Sequence, residues 1–187
     1  MKQIIPFAHS LLAASVQEGE TVVDATLGNG HDSLYLSKLV GRTGKVIGVD
    51  IQSEALEHAE ELFSEHLVTN VTTQLIGHEK IGKVLLEESV GSIGGAIFNL
   101  GYLPGGDHSV TTKAETTIKA VDSLLAVLQQ GRLIVMVLYP GHEDGKRETE
   151  NLLSYLQAIP SKQADIFQYS MVNRSERAPF VVAIEKK

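Results

Sequence analysis

The chain has 187 residues, 43% of them apolar and 21% charged, and its 16 Lys+Arg against 23 Asp+Glu give a formal charge of −7. One globular domain is the default for such a make-up. The absence of cysteine excludes disulfides, thiolate nucleophiles and Cys-based metal sites. No apolar run of about eighteen residues and no signal-peptide pattern occurs, so a cytoplasmic protein without membrane association is expected. Residues 1–140 hold nine basic and sixteen acidic side chains, and residues 141–187 hold seven of each. A non-specific nucleic-acid binder would be basic over a whole face, so RNA contact here would fall to local groups such as Lys146, Arg147, Arg174 and Arg177. Any one of these four reads first as solvated surface charge.

In chain order, residues 1–18 form an N-terminal extension with a helix over Pro6–Val16, its apolar candidates being Leu11, Leu12 and Ala14. Short β-branched runs then alternate with helical segments, the pattern of βαβ units. The strands are read at Thr21–Ala25, Lys45–Asp50, Val71–Ile76, Gly95–Asn99 and Arg132–Tyr139. A helix over Ser53–Leu67 places Ala55, Ala59, Leu62 and Phe63 on one face and Glu54, Glu57, Glu61 and Glu65 toward water. A second, Thr112–Gln129, starts in a capping box, Thr112-Lys113-Ala114-Glu115, and buries Ile118, Val121, Leu125 and Leu128. Gly131 is its expected stop.

Asp144–Ile159 reads as a further helix ended by Pro160, followed by apolar runs at Ile166–Val172 and Phe180–Glu185. The gap between those runs, Asn173–Pro179, is too short for a helical crossover, so they should pair as an antiparallel hairpin. A mostly parallel, seven-stranded α/β sheet with an antiparallel last strand is the Rossmann-like layout of class I S-adenosylmethionine-dependent methyltransferases. The expectation is a single domain over the whole chain.

The first strand runs into Asp24-Ala25-Thr26-Leu27-Gly28-Asn29-Gly30-His31-Asp32 before a helix begins. Glycines at such a turn let backbone approach a ligand, and the helix N-terminus attracts an anionic group, whether a pyrophosphate or a methionine carboxylate. The dinucleotide fingerprint needs a third glycine where Ser33 stands, and Asp24 inside the strand is foreign to it. Asp24 fits instead the acid that holds the loop and the methionine amine in methyltransferases, although Thr26 stands where a first glycine is common. Asp50 ends the second strand 20 residues past Gly30, where a carboxylate accepts ribose hydroxyls. Gln52 is placed to cover the nucleoside. His78, after the third strand, is placed to contact adenine, or else is a surface or capping histidine.

Ligands of open α/β sheets bind beyond the carboxyl ends of the strands, so Asn99 should face the reacting methyl. Asn99-Leu100-Gly101-Tyr102 resembles the Asn/Asp-Pro-Pro-aromatic motif of nitrogen methylators, with Tyr102 as the aromatic that stacks on the substrate. Leu100 and Gly101 replace the prolines, which argues against the ordinary adenine target. His142, in the polar turn after strand five, is a candidate to receive a proton or hold substrate. The seven histidines show no metal-binding spacing, so no metal is expected.

The loop Asp24 to Asp32, Asp50-Ile51-Gln52, Phe98-Asn99-Leu100-Gly101-Tyr102-Leu103-Pro104 and Tyr139-Pro140-Gly141-His142-Glu143 together resemble one small bacterial family, described as "putative rRNA methylase". Its members include MnmM-type tRNA methyltransferases. The resemblance runs from about His9 to Phe180 and is most specific at Asn99 to Pro104. It implies methyl transfer from S-adenosylmethionine to the exocyclic amine of 5-aminomethyl-2-thiouridine at the tRNA wobble position, with the anticodon stem-loop as partner. It implies cofactor roles for Asn29, His31, Asp32, Asp50, Gln52 and His78, and a methyl-transfer face at Asn99 and Tyr102. Asp24, Thr26, Gly28, Gly30, Ile51, Leu100 and Asn99 itself complete the expected cofactor site. At 173–179 the sequence departs from the family's Asn-Gln and double proline, and Arg174 and Arg177 there would suit RNA phosphates. Other readings remain: an rRNA or small-amine methyltransferase, a nucleotide-binding oxidoreductase, or a silent RNA-binding module. A homodimer would enlarge the surface offered to tRNA.

Overall fold

The computed structural model describes residues 3–101, 112–141 and 143–187. The roles expected of Tyr102 and His142 lie outside them. The elements in order are α1 (Ile4–Ser15), β1 (Thr21–Asp24), α2 (His31–Val40), β2 (Lys45–Asp50), α3 (Ser53–Glu65), β3 (Val71–Leu75), α4 (Ile81–Glu87), β4 (Ile93–Leu100), α5 (Ala114–Val127), β5 (Leu128–Leu138), α6 (Glu143–Ala158), β6 (Ala164–Tyr169) and β7 (Phe180–Lys186). A short 3-10 turn, His78–Lys80, leads into α4.

All seven strands join one sheet in the order β3-β2-β1-β4-β5-β7-β6. The first five are mutually parallel, while β7 inserts between β5 and β6 and runs antiparallel to both. The hairpin expected of the last two runs forms, although β6 ends at Tyr169, three residues before Val172, which is fully exposed. Alternation along the strands feeds two apolar layers. Val22, Val46, Ile97 and Val135 face Leu12 of α1 and Leu36 of α2, whereas Val23, Ile47, Phe98 and Met136 face Ile81 of α4 and Leu124 of α5.

Several sequence expectations are corrected. Ala14 is exposed, and α1 docks instead through Ala8, Leu12 and Val16. Its end is tied to β5 by Arg132, which donates to the Ser15 carbonyl at 2.5 Å and to Glu20 Oε1 through Nε and Nη2 at 3.0 and 2.6 Å. The capping box does not form: Lys113 is the N-cap without a side-chain cap bond, because the Thr112 hydroxyl donates to Glu148 Oε2 at 2.8 Å. Nor is Gly131 a helix stop. Leu128 already begins β5, and the register with β4 jumps from Ile93↔Leu128 to Gly95↔Leu133. The extra residues bulge out, and Gly131 takes the φ of +74° that such a bulge needs. Among the described residues no helix is long and apolar enough to cross a membrane.

Candidate active site

A cavity of about 1010 Å³ opens beyond the carboxyl ends of β1, β2 and β4, where the strand order reverses direction. This is the crevice in which open α/β sheets bind ligands. Residues at or just past four strand ends line it: Thr26, Asp50, His78 and Asn99.

The turn after β1 is built from both directions. Asp24 is wholly buried beneath it, accepting the Thr26 N–H at 3.2 Å on one oxygen and the Ser33 hydroxyl at 2.7 Å on the other. Serine at 33, where the dinucleotide fold has glycine, therefore ties α2 to β1. Thr26 has a role of its own, since its Oγ1 accepts the Asn99 backbone N–H at 2.7 Å and joins the loop to the end of β4. The loop residues Gly28, Asn29, His31 and Asp32 line the cavity.

Gly30 and Leu100 lie off the cavity, as does Asp24. Leu100 is buried in the core. Gly30 is the left-handed N-cap of α2, with φ +81°, and a Cβ there would meet Ala59 Cβ of α3 at 2.8 Å. Gly30→Ala is expected to cost about 2–4 kcal/mol, combining a left-handed non-glycine residue with overpacking. Urea unfolding reads this directly, and a loss below about 0.5 kcal/mol would show that α3 yields.

At the β2 end of the cavity, Asp50 Oδ2 accepts the Gly28 N–H and Oδ1 the Gln52 N–H, both at 3.0 Å. A carboxylate has about four acceptor positions, so each oxygen retains one for a ribose hydroxyl. Ile51 is 59% exposed at the cavity, an apolar surface suited to a purine face. Gln52 lines the same wall. Opposite, His78 Nε2 lies 3.1 Å from Thr116 Oγ1, and the ring packs edge-on against Phe98. Burial lowers the His78 pKa, against the Glu79 charge.

At the other end Asn99 Nδ2 donates to Asp32 Oδ2 at 3.4 Å, and Asp32 Oδ1 lies 2.6 Å from His9 Nε2. Tyr139 closes this side, its hydroxyl pKa raised by burial and by the Asp32 charge. Arg177 is exposed and borders the cavity, whereas Arg174 is exposed but away from it. Sequence reasoning missed His9, Thr116 and Lys113, and passed over Tyr139 for His142. The strand-end rule that marked Asn99 marks Tyr139 equally, since it follows β5 directly.

Burial, with the Asp32 charge second, pushes Asp24 from 3.8 up to about 7. The folded protein thus keeps a proton there that the unfolded chain releases near 3.8. Stability from this group is full below that pH and is lost as pH rises to about 7. Asp24→Asn carries no charge to bury. Its melting temperature should therefore gain on wild type progressively from about pH 4 to about pH 7. Parallel curves over that range would remove the buried charge as the cause.

A sheet of this order around a cavity of this chemistry defines a class I methyltransferase, with S-adenosylmethionine as cofactor. The residues fit that group: the free acceptor positions of Asp50 suit a ribose, the glycine turn and the α2 N-terminus suit a carboxylate, and Asn99 stands at the far end. More narrowly, the chain belongs to the family described as "putative rRNA methylase", whose family model matches residues 46–185. Residues 7–81 also match the ubiE/COQ5 methyltransferase family. A chloroplastic tRNA (mnm5s2U34)-methyltransferase of Arabidopsis thaliana is 33% identical over all of this chain and 70% of its own length. A Clostridium thermocellum structure described as a "putative rRNA-methylase" is 35% identical, with a TM-score of 0.95 over 100% of this chain and 99% of its own. A Streptococcus mutans structure, described as a "putative methyltransferase" in complex with SAH, is 31% identical, with a TM-score of 0.89 and the same coverage.

Proposed function

We propose that this enzyme methylates the exocyclic amine of 5-aminomethyl-2-thiouridine at the wobble position of tRNA, giving the 5-methylaminomethyl form. The observation that carries an amine target is Asn99, a neutral amide at the end of β4 in a cavity whose other end suits a nucleoside. The name of the Arabidopsis relative supplies the nucleoside. When bound, S-adenosylmethionine supplies a methyl carbon for in-line attack by an amine nitrogen, the carbon–sulfur electron pair returning to sulfur and the amine losing one proton.

The chain's own part is positioning, which can supply a large share of the rate. Asp50 and Ile51 hold the nucleoside end, and Asp24, through Thr26 and Ser33, keeps the turn closed. Asn99 accepts a hydrogen bond from the amine and so aims its lone pair. Arg177 at the mouth, with Arg174 in the same turn, contacts phosphates of the anticodon stem-loop. Tyr102 and His142 complete the substrate side of this reading. The protein acts in the cytoplasm, and a homodimer would extend its RNA surface; sedimentation showing only monomer with and without tRNA removes the dimer. The family's description as rRNA methylase favours ribosomal RNA as the second reading.

Nucleoside mass spectrometry on tRNA lacking the terminal methyl, incubated with the protein and S-adenosylmethionine, tests the proposal. A gain of one methyl on the aminomethyl-thiouridine is expected. No gain there, with methylation of ribosomal RNA, would transfer the assignment to the second reading.

A further inference from the structure

We propose that the N-terminal helix α1 belongs to the methyl-transfer site: His9 holds Asp32, and Asp32 fixes the side-chain amide of Asn99 so that its oxygen faces the cavity. This rests on the reading of Asn99 as the acceptor for the target amine. His9 Nε2 approaches Asp32 Oδ1 to 2.6 Å, a length in keeping with a charge-assisted bond. Both side chains are largely enclosed, at 19% and 10% exposure. The imidazole is itself held, stacked on Tyr35 with centroids 4.0 Å apart and planes 8° from parallel, while the Tyr35 hydroxyl donates to the His9 carbonyl at 3.1 Å.

The orientation of Asn99 follows from donor and acceptor chemistry. An ionised carboxylate only accepts, so the atom that Asn99 turns toward Asp32 Oδ2 must be Nδ2, leaving Oδ1 to point elsewhere. The terminal torsion of asparagine is broad and roughly two-fold, so nothing within the residue selects one face of the amide. Asp32 makes that selection, and His9 keeps Asp32 in place. The other ionisable groups facing Asp32 are Tyr139 at the cavity and Asp24 beneath it. Asp24 cannot replace His9 on Oδ1, because both its oxygens are engaged with Thr26 and Ser33.

Docking of α1 does not depend on this contact. Ala8 and Leu12 are buried, Phe7 stacks on Tyr169 at 3.9 Å, and Arg132 grips the helix end. Substitution of His9 therefore leaves the helix in place and releases Asp32. His9 is a positioning residue that acts through Asp32 and Asn99.

The first test reads the amide directly. In a ¹⁵N–¹H spectrum, the side-chain NH2 pair of Asn99, assigned by its loss in Asn99→Ala, should shift in His9→Ala. It should stay near its wild-type position in His9→Gln, whose amide nitrogen can donate as Nε2 does. The second uses S-adenosylmethionine labelled on the methyl, with total tRNA, in single turnover. His9→Ala should lower the rate about ten- to hundredfold, the worth of one hydrogen bond to a charged group. Cofactor affinity by calorimetry should stay within about threefold, and His9→Gln should recover most of the rate. An unmoved Asn99 amide in His9→Ala overturns the proposal, and so does an equal loss of rate in the alanine and glutamine variants. Which nucleoside carries the label tests the substrate reading separately, and the spectrum decides His9 whatever that nucleoside is.

Discussion

Asn99→Ala is expected to lower methyl transfer by about 10²–10³-fold while leaving S-adenosylmethionine affinity within about threefold. The backbone N–H of residue 99 bonds Thr26 Oγ1 and survives the substitution, so the cofactor turn stays tied to β4. What disappears is the side-chain amide, the acceptor proposed to aim the amine. An interaction made to the reacting nitrogen contributes to the transition state far more than to cofactor binding, so the rate constant falls and the dissociation constant does not. Calorimetry and single-turnover transfer on undermethylated tRNA check the two halves separately. Wild-type turnover in Asn99→Ala would remove Asn99 from the chemistry, and a large loss of cofactor affinity would make it a binding residue instead.

The second large effect is expected at Asp50. Asp50→Ala removes the acceptor proposed for two ribose hydroxyls, each bond to a charged group being worth about 1.5–3 kcal/mol, and should weaken cofactor binding by about 10²–10³-fold. The same carboxylate accepts the Gly28 and Gln52 N–H groups, so the turn after β1 and the chain after β2 lose a shared anchor as well. Asp50→Asn separates the two contributions. It retains one oxygen and should fall between the alanine variant and wild type, at about tenfold. A dissociation constant for Asp50→Ala within about threefold of wild type would place the ribose elsewhere.

Much of this architecture is legible from local pattern. The glutamates at 54, 57, 61 and 65 are all exposed and Ala55, Ala59 and Phe63 all buried, because a 3.6-residue period fixes the faces of a helix wherever it docks. Sequence misled where local and tertiary preferences compete. Thr112 has the chemistry of an N-cap, yet its hydroxyl goes to Glu148, 36 positions away. Gly131 has the chemistry of a helix stop, yet the helix ends earlier and the glycine serves a bulge opposite β4. In both places a bond or register set by another element outweighs a local preference of about 1 kcal/mol.

By itself, then, the sequence determined the alternation of strands and helices, the glycine turn after β1, and Asp50 and Asn99 as strand-end residues at the binding edge. These depend on spacing along the chain and on one general rule of α/β sheets, both readable without coordinates. Only the tertiary structure decided that β7 slots between β5 and β6, that Thr26 bonds the backbone of Asn99 73 positions away, and that His9 reaches Asp32 across 23 positions. Such pairings depend on how helices lie across the sheet, and burial against the sheet, which sets those positions, carries no signature in the spacing of the residues that meet.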